Sequence, residues 1–106
     1  MPNFEPAVGR YLQLGIDGVD FRVYVERAGQ GVPVLLQHTA GSDNRQWRHL
    51  LNDSELGRQF EFIAADLPGH GKSVPSDDAP WWDRDYRLTR DFFMAFQVRL
   101  AEELKL

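Results

Sequence analysis

Two short apolar runs, each emptying into a polar, glycine-containing turn, restrict this chain's fold more than any other feature. Val34, Leu35 and Leu36 lead into His38-Thr39-Ala40-Gly41-Ser42-Asp43-Asn44, and Phe60 to Ala65 lead into Asp66-Leu67-Pro68-Gly69-His70-Gly71-Lys72-Ser73. The uninterrupted run Val34, Leu35 and Leu36 suits a strand covered on both faces, and Phe60 to Ala65 reads as the next strand. Between the runs, Trp47, Leu50 and Leu51 recur at helical spacing. A strand, a helix and a strand in succession imply two parallel strands joined by a crossover, so the fold class is α/β.

The flanking segments fill in the architecture. Leu12, Leu14 and Ile16 alternate with polar residues, as do Val19, Phe21, Val23 and Val25, and Asp17-Gly18 lies between them. That pattern predicts an antiparallel hairpin over about 11–26 with a tight primed turn, and hence a mixed sheet. Strands are expected at 32–37 and 60–65. Asp43 followed by Gln46 three residues later gives a capping-box-like start to a helix over 44–56. A proline-rich loop over 66–87 precedes a second helix over 89–105, capped by Thr89, with Leu88 and Phe93 placed as a staple. Its apolar face holds Phe92, Phe93, Phe96, Leu100 and Leu104, spacing that needs a sheet to cover.

Composition removes several function classes. The 106 residues suffice for one small domain or part of one, and the net charge of -4 with interleaved Arg and Asp side chains argues against nucleic acid as a partner. No apolar run approaches the length needed to span a bilayer, and the N-terminus lacks the plan of a signal peptide, so no membrane partner and a cytoplasmic setting are expected. The absence of cysteine excludes a disulfide framework, a thiolate metal site and a cysteine nucleophile within the segment. His38, His49 and His70 lack the i, i+4 pairing of a zinc helix, and no metal or cofactor is expected. Gly71-Lys72-Ser73 is half of a phosphate loop, but Asp66 occupies the position of the required first glycine and a proline-containing loop follows instead of a helix.

The turn after the first buried strand carries the chemistry. A strand-to-helix turn leaves early amides unpaired, the arrangement that holds an oxygen becoming negative during acyl transfer. His38-Thr39-Ala40-Gly41 and Asp66-Leu67-Pro68-Gly69-His70-Gly71-Lys72-Ser73, in this order with one helix between, resemble the α/β-hydrolase superfamily. There the first turn commonly reads His-Gly-x-Gly, with Thr39 departing here from the usual glycine, and the second reads Asp-x-Pro-Gly-x-Gly-x-Ser. The resemblance covers roughly residues 8–106. It implies the N-terminal portion of an α/β-hydrolase domain and a backbone amide of Ala40 that donates to the oxyanion. Thr39, Gly41 and Ser42 would shape that turn, with His38 bonding backbone and holding it.

In such enzymes the next strand leads to the nucleophile elbow, followed by the acid and the histidine, and none of these lies within the chain. The expectation is therefore an incomplete N-terminal segment, ending before the nucleophile. The intact protein would hydrolyse a small ester, thioester, amide or C–C substrate through a nucleophile–acid–histidine triad. The segment alone would supply only the oxyanion turn and be inactive. Trp81 and Trp82 either line a substrate pocket or pack their loop on the sheet. Two rival readings use the same scaffold: a non-catalytic ligand-binding or interaction protein, and one half of a split enzyme. An apolar strand lacking a neighbour also predicts self-association through an open sheet edge.

Overall fold

The computed structural model describes residues 3–39, 41–73 and 89–106. Four strands form one mixed sheet: β1 (Val8–Ile16), β2 (Val19–Gly29), β3 (Val32–Gln37) and β4 (Phe60–Ala65), in the order β1-β2-β4-β3. Asp17 and Gly18 join β1 to β2 with φ of 51° and 77°. Two successive positive φ angles define the primed turn whose twist matches a hairpin, which is why Asp-Gly serves there. β2 runs on to Gly29, beyond the alternation visible in sequence, because Val25 to Gly29 pair antiparallel with Ala65 to Glu61 of β4. β3 lies parallel to β4, from Val32 opposite Phe60 to Gln37 opposite Ala65.

The single helix expected over 44–56 is divided. Asn44–Trp47 form a 3-10 turn, Arg48–Leu51 form one turn of α-helix (α1), and Leu56–Arg58 form a second 3-10 turn. Asp53 explains the break, since its Oδ1 accepts the Glu55 and Leu56 amides at 3.1 and 3.0 Å and so offers the backbone an alternative to continued helix. Beyond the break the chain presses against the β2–β3 connection. Gln30 N–H donates to the Gly57 carbonyl at 2.9 Å, and a Cβ on Gly31 (φ 118°) would collide with the Gln59 carbonyl.

α2 (Arg90–Glu103) starts as its sequence indicates, with the Thr89 hydroxyl accepting the Phe92 amide at 3.1 Å. Its end differs from the expected 105. Lys105 has φ of 57°, Lys105 N–H donates to Glu102 and Leu106 N–H reaches back to Ala101 at 3.0 Å. Those two bonds close the helix in the manner usually given to glycine. α2 covers one face of the sheet, where Phe96 and Leu100 meet Leu14, Val23, Val25 and Ile63. The other face holds Ala28, Phe62 and Ala64 under Leu51, Trp47 and Leu50. Coverage on both faces leaves the carboxyl ends of β3 and β4 side by side, where both polar turns emerge.

Candidate functional site

At the end of β3 the chain turns back at once. Ser42 N–H donates to the Thr39 carbonyl at 3.1 Å, and Gly41 takes φ of 78° within that turn. A left-handed angle is most readily taken by glycine, and among the described residues a Cβ built there would meet no atom within 4 Å. Thr39 is fastened by Gln46, whose Oε1 accepts its amide at 2.9 Å and its hydroxyl at 3.2 Å. Gln46 thus reaches past the cap to the turn itself instead of closing a capping box. Asp43 caps the 3-10 turn by accepting the Arg45 amide at 2.9 Å. The Arg45 guanidinium and amide together hold the Asp43 carboxyl down to about 2.

His38 is buried, 2% exposed, and its two ring nitrogens have opposite roles. Leu67 N–H donates to Nε2 at 3.0 Å, so that nitrogen carries no proton. Nδ1 therefore bears the hydrogen and donates it to the Thr39 carbonyl at 2.8 Å. One imidazole ties the turn after β3 to the turn after β4. The His70 ring packs beside it at 5.1 Å between centroids.

Asp66, the first residue past β4, is the second tie. Its Oδ1 accepts the Asn44 amide at 2.7 Å and its Oδ2 accepts the Lys72 amide at 2.9 Å. The carboxylate approaches so closely that a Cβ on Gly71 would strike it. Lys72 N–H is consumed in this way, which removes it from any phosphate-binding role. Where β2 and β4 diverge, the Ser73 hydroxyl accepts the Tyr24 amide at 2.8 Å and donates to the Asp66 carbonyl at 2.6 Å. Asp66 N–H in turn donates to the Tyr24 carbonyl at 2.9 Å. A side-chain hydroxyl here takes the place of a ladder partner.

Beside these turns lies a cleft of about 330 Å³ bordered by Glu26, Asp43, Asn44, Arg48, Asp66 and Lys72. Glu26, 6% exposed, is paired with Arg48 at 3.1 Å and accepts the Tyr24 hydroxyl at 3.0 Å. Burial first, then the Glu26 hydrogen bond and charge, push the Tyr24 phenol up to about 12. Sequence reasoning missed this group, because Glu26 falls on the ordinary polar alternation of a strand and nothing local identifies Arg48 as its partner.

Of the residues singled out in sequence, the structure brings His38, Thr39, Gly41 and Ser42 into one turn, next to Asp66 and His70. Ala40, Trp81 and Trp82 lie outside the described residues. The Thr39 amide is taken by the Gln46 side chain and the Ser42 amide by the Thr39 carbonyl, whereas Gly41 N–H makes no hydrogen bond among the described residues. Also among the described residues, no group of three or more acidic or histidine side chains is placed to hold a metal, and no helix is long and apolar enough to cross a membrane.

No family model matches the chain. Over 91 residues it is 36% identical to the 2-hydroxy-6-oxo-6-(2'-aminophenyl)hexa-2,4-dienoic acid hydrolase of Metapseudomonas resinovorans, covering 83% of this chain and 29% of that protein. Over 71 residues it is 37% identical to the dihydrolipoyllysine-residue acetyltransferase component of the acetoin cleaving system of Cupriavidus necator, covering 67% of this chain and 18% of that protein. Among solved structures, the epoxide hydrolase VrEH1 from Vigna radiata superposes with a TM-score of 0.71 at 22% identity, covering 99% of this chain and 31% of that one. The chain spans less than a third of the length of each of these proteins. The strand order, the crossover and the paired turns at the carboxyl ends of β3 and β4 together give this chain the fold of the N-terminal part of the α/β-hydrolases.

Proposed function

We propose that this chain is the N-terminal part of a hydrolase that uses a nucleophile–acid–histidine triad, and that its own contribution is the oxyanion turn with the Ala40 amide as donor. The observation that carries this reading is the fixing of the Thr39–Ser42 turn from three directions: by Gln46, by His38 and by its own closing bond. A donor held in place before charge develops costs little reorganisation, and loss of one such donor lowers turnover by about 10²–10³. The fold and the similarity to a hexadienoic acid hydrolase support a small carbonyl-bearing substrate, an ester, thioester, amide or C–C bond next to a ketone. Nucleophile, acid and base would come from sequence following Leu106.

The test is hydrolysis by a polypeptide extending beyond Leu106, assayed on p-nitrophenyl esters and on 2-hydroxy-6-oxo-dienoic acids. Ala40→Pro, which lacks the amide hydrogen, is expected to lower kcat by about 10²–10³ while KM changes little. The 106-residue chain alone is expected to be inactive. Turnover by that chain, or undiminished kcat in Ala40→Pro, would remove Ala40 and the external nucleophile from the mechanism.

A further inference from the structure

His38 can hold both of its hydrogen bonds in one protonation state only. With a hydrogen on Nδ1 and none on Nε2, it donates to the Thr39 carbonyl and accepts from Leu67 N–H. A second proton converts Nε2 into a donor facing another donor, at a site where His38 is 2% exposed and water cannot readily substitute. The Leu67 bond, which joins the two turns, must then open. We infer that His38 is a proton-operated latch, closed when the ring is neutral and released when it is charged, so that acidification unties the Thr39–Ser42 turn from the turn after β4.

The groups around the ring determine how release proceeds. From the Gly69–Gly71 turn, the His70 ring lies 5.1 Å away between centroids, and its own Nδ1 is engaged with the Pro68 carbonyl at 3.2 Å. From the segment before the 3-10 turn, Asp43 interacts electrostatically with His38, but its carboxylate is already engaged by Arg45 at 2.8 Å. From the end of β4, Asp66 is occupied by the Asn44 and Lys72 amides. From α2, the nearest polar link to β3 is neutral, Gln97 Nε2 donating to Gln37 at 2.8 Å. Both carboxylates are thus committed elsewhere, and neither replaces the lost acceptor for Leu67. Other bonds from the turn, to Gln46 and through Ser42, do not depend on this proton, so the expected response is local opening.

The latch bears on catalysis only if the turn is an oxyanion turn, and to that extent it rests on the proposed function. It is measurable without substrate. In an isotopically labelled polypeptide extending beyond Leu106, the nitrogen shifts of His38 at neutral pH are expected to show hydrogen on Nδ1 and none on Nε2. As pH is lowered, the protection factor of the Leu67 amide should fall about tenfold or more, in step with the His38 titration, while β1 and β2 amides keep theirs. In His38→Gln the side-chain oxygen accepts from Leu67 at any pH, and the Leu67 protection should become flat with pH. A proton found on Nε2 at neutral pH, Leu67 protection that survives charging of His38, or global unfolding before the ring titrates would each overturn the latch. Absence of hydrolysis in the longer polypeptide would instead overturn the functional reading and leave these results standing.

Discussion

Asp66 shows how a single side chain can set the geometry of two loops. It is 2% exposed, and its two oxygens are divided between the Asn44 and Lys72 amides. Replacing one oxygen by an amide group in Asp66→Asn sets two donors against each other. Denaturant unfolding should therefore show a loss of about 2 kcal/mol, the usual penalty for an unsatisfied buried donor to which a charged acceptor has been lost. A change below about 0.5 kcal/mol would mean that water replaces the carboxylate without difficulty. Asp66 was legible in sequence as the first residue of the second polar turn and as the residue that breaks the phosphate-loop pattern. Its reach to Asn44, and that of Gln46 to Thr39, was not: both depend on how the two turns are juxtaposed, which only the parallel pairing of β3 with β4 determines. Ser73 was legible as a motif position and not as the hydroxyl that bridges β2 and β4.

At the scale of elements, local chemistry was the reliable guide. The Asp17-Gly18 turn, the Thr89 cap and the limits of β3 and β4 follow from residues adjacent in sequence. The helix after the first turn was overestimated because three apolar residues at helical spacing are satisfied by a single α turn, and Asp53 starts a new one. β2 was underestimated because its last residues are strand only by virtue of β4. α2 depends on its buried stripe. Phe96 is 0% exposed within the main core, whereas Met94 on the outer side is 59% exposed. Phe96→Ala is expected to cost about 3–5 kcal/mol in urea unfolding and Met94→Ala less than about 0.5 kcal/mol. Equal effects would show that α2 does not pack on the sheet as described.

At the scale of the whole molecule, the sheet has two outer strands, β1 and β3. Among the described residues each pairs with a single neighbour, β1 with β2 and β3 with β4, and β3 carries the uninterrupted apolar run Val34, Leu35 and Leu36. Val32 at its start is 61% exposed, and Val34, Leu35 and Leu36 remain partly exposed. An apolar strand with one free edge accepts another strand readily. The 106-residue chain is expected to form dimers or larger species in sedimentation at about 50 µM, a concentration range in which exposed strand edges associate. A lasting monomer under those conditions would show that the edge is protected.

The strand order also has a temporal side. β2 and β3 follow one another in the chain but are not neighbours in the sheet, because β4 lies between them. On the ribosome, the hairpin can close as soon as it emerges, while Val32–Gln37 must wait for Phe60–Ala65 to be translated before any ladder forms. At ordinary elongation rates that delay is on the order of seconds, long compared with collapse of the nascent hairpin.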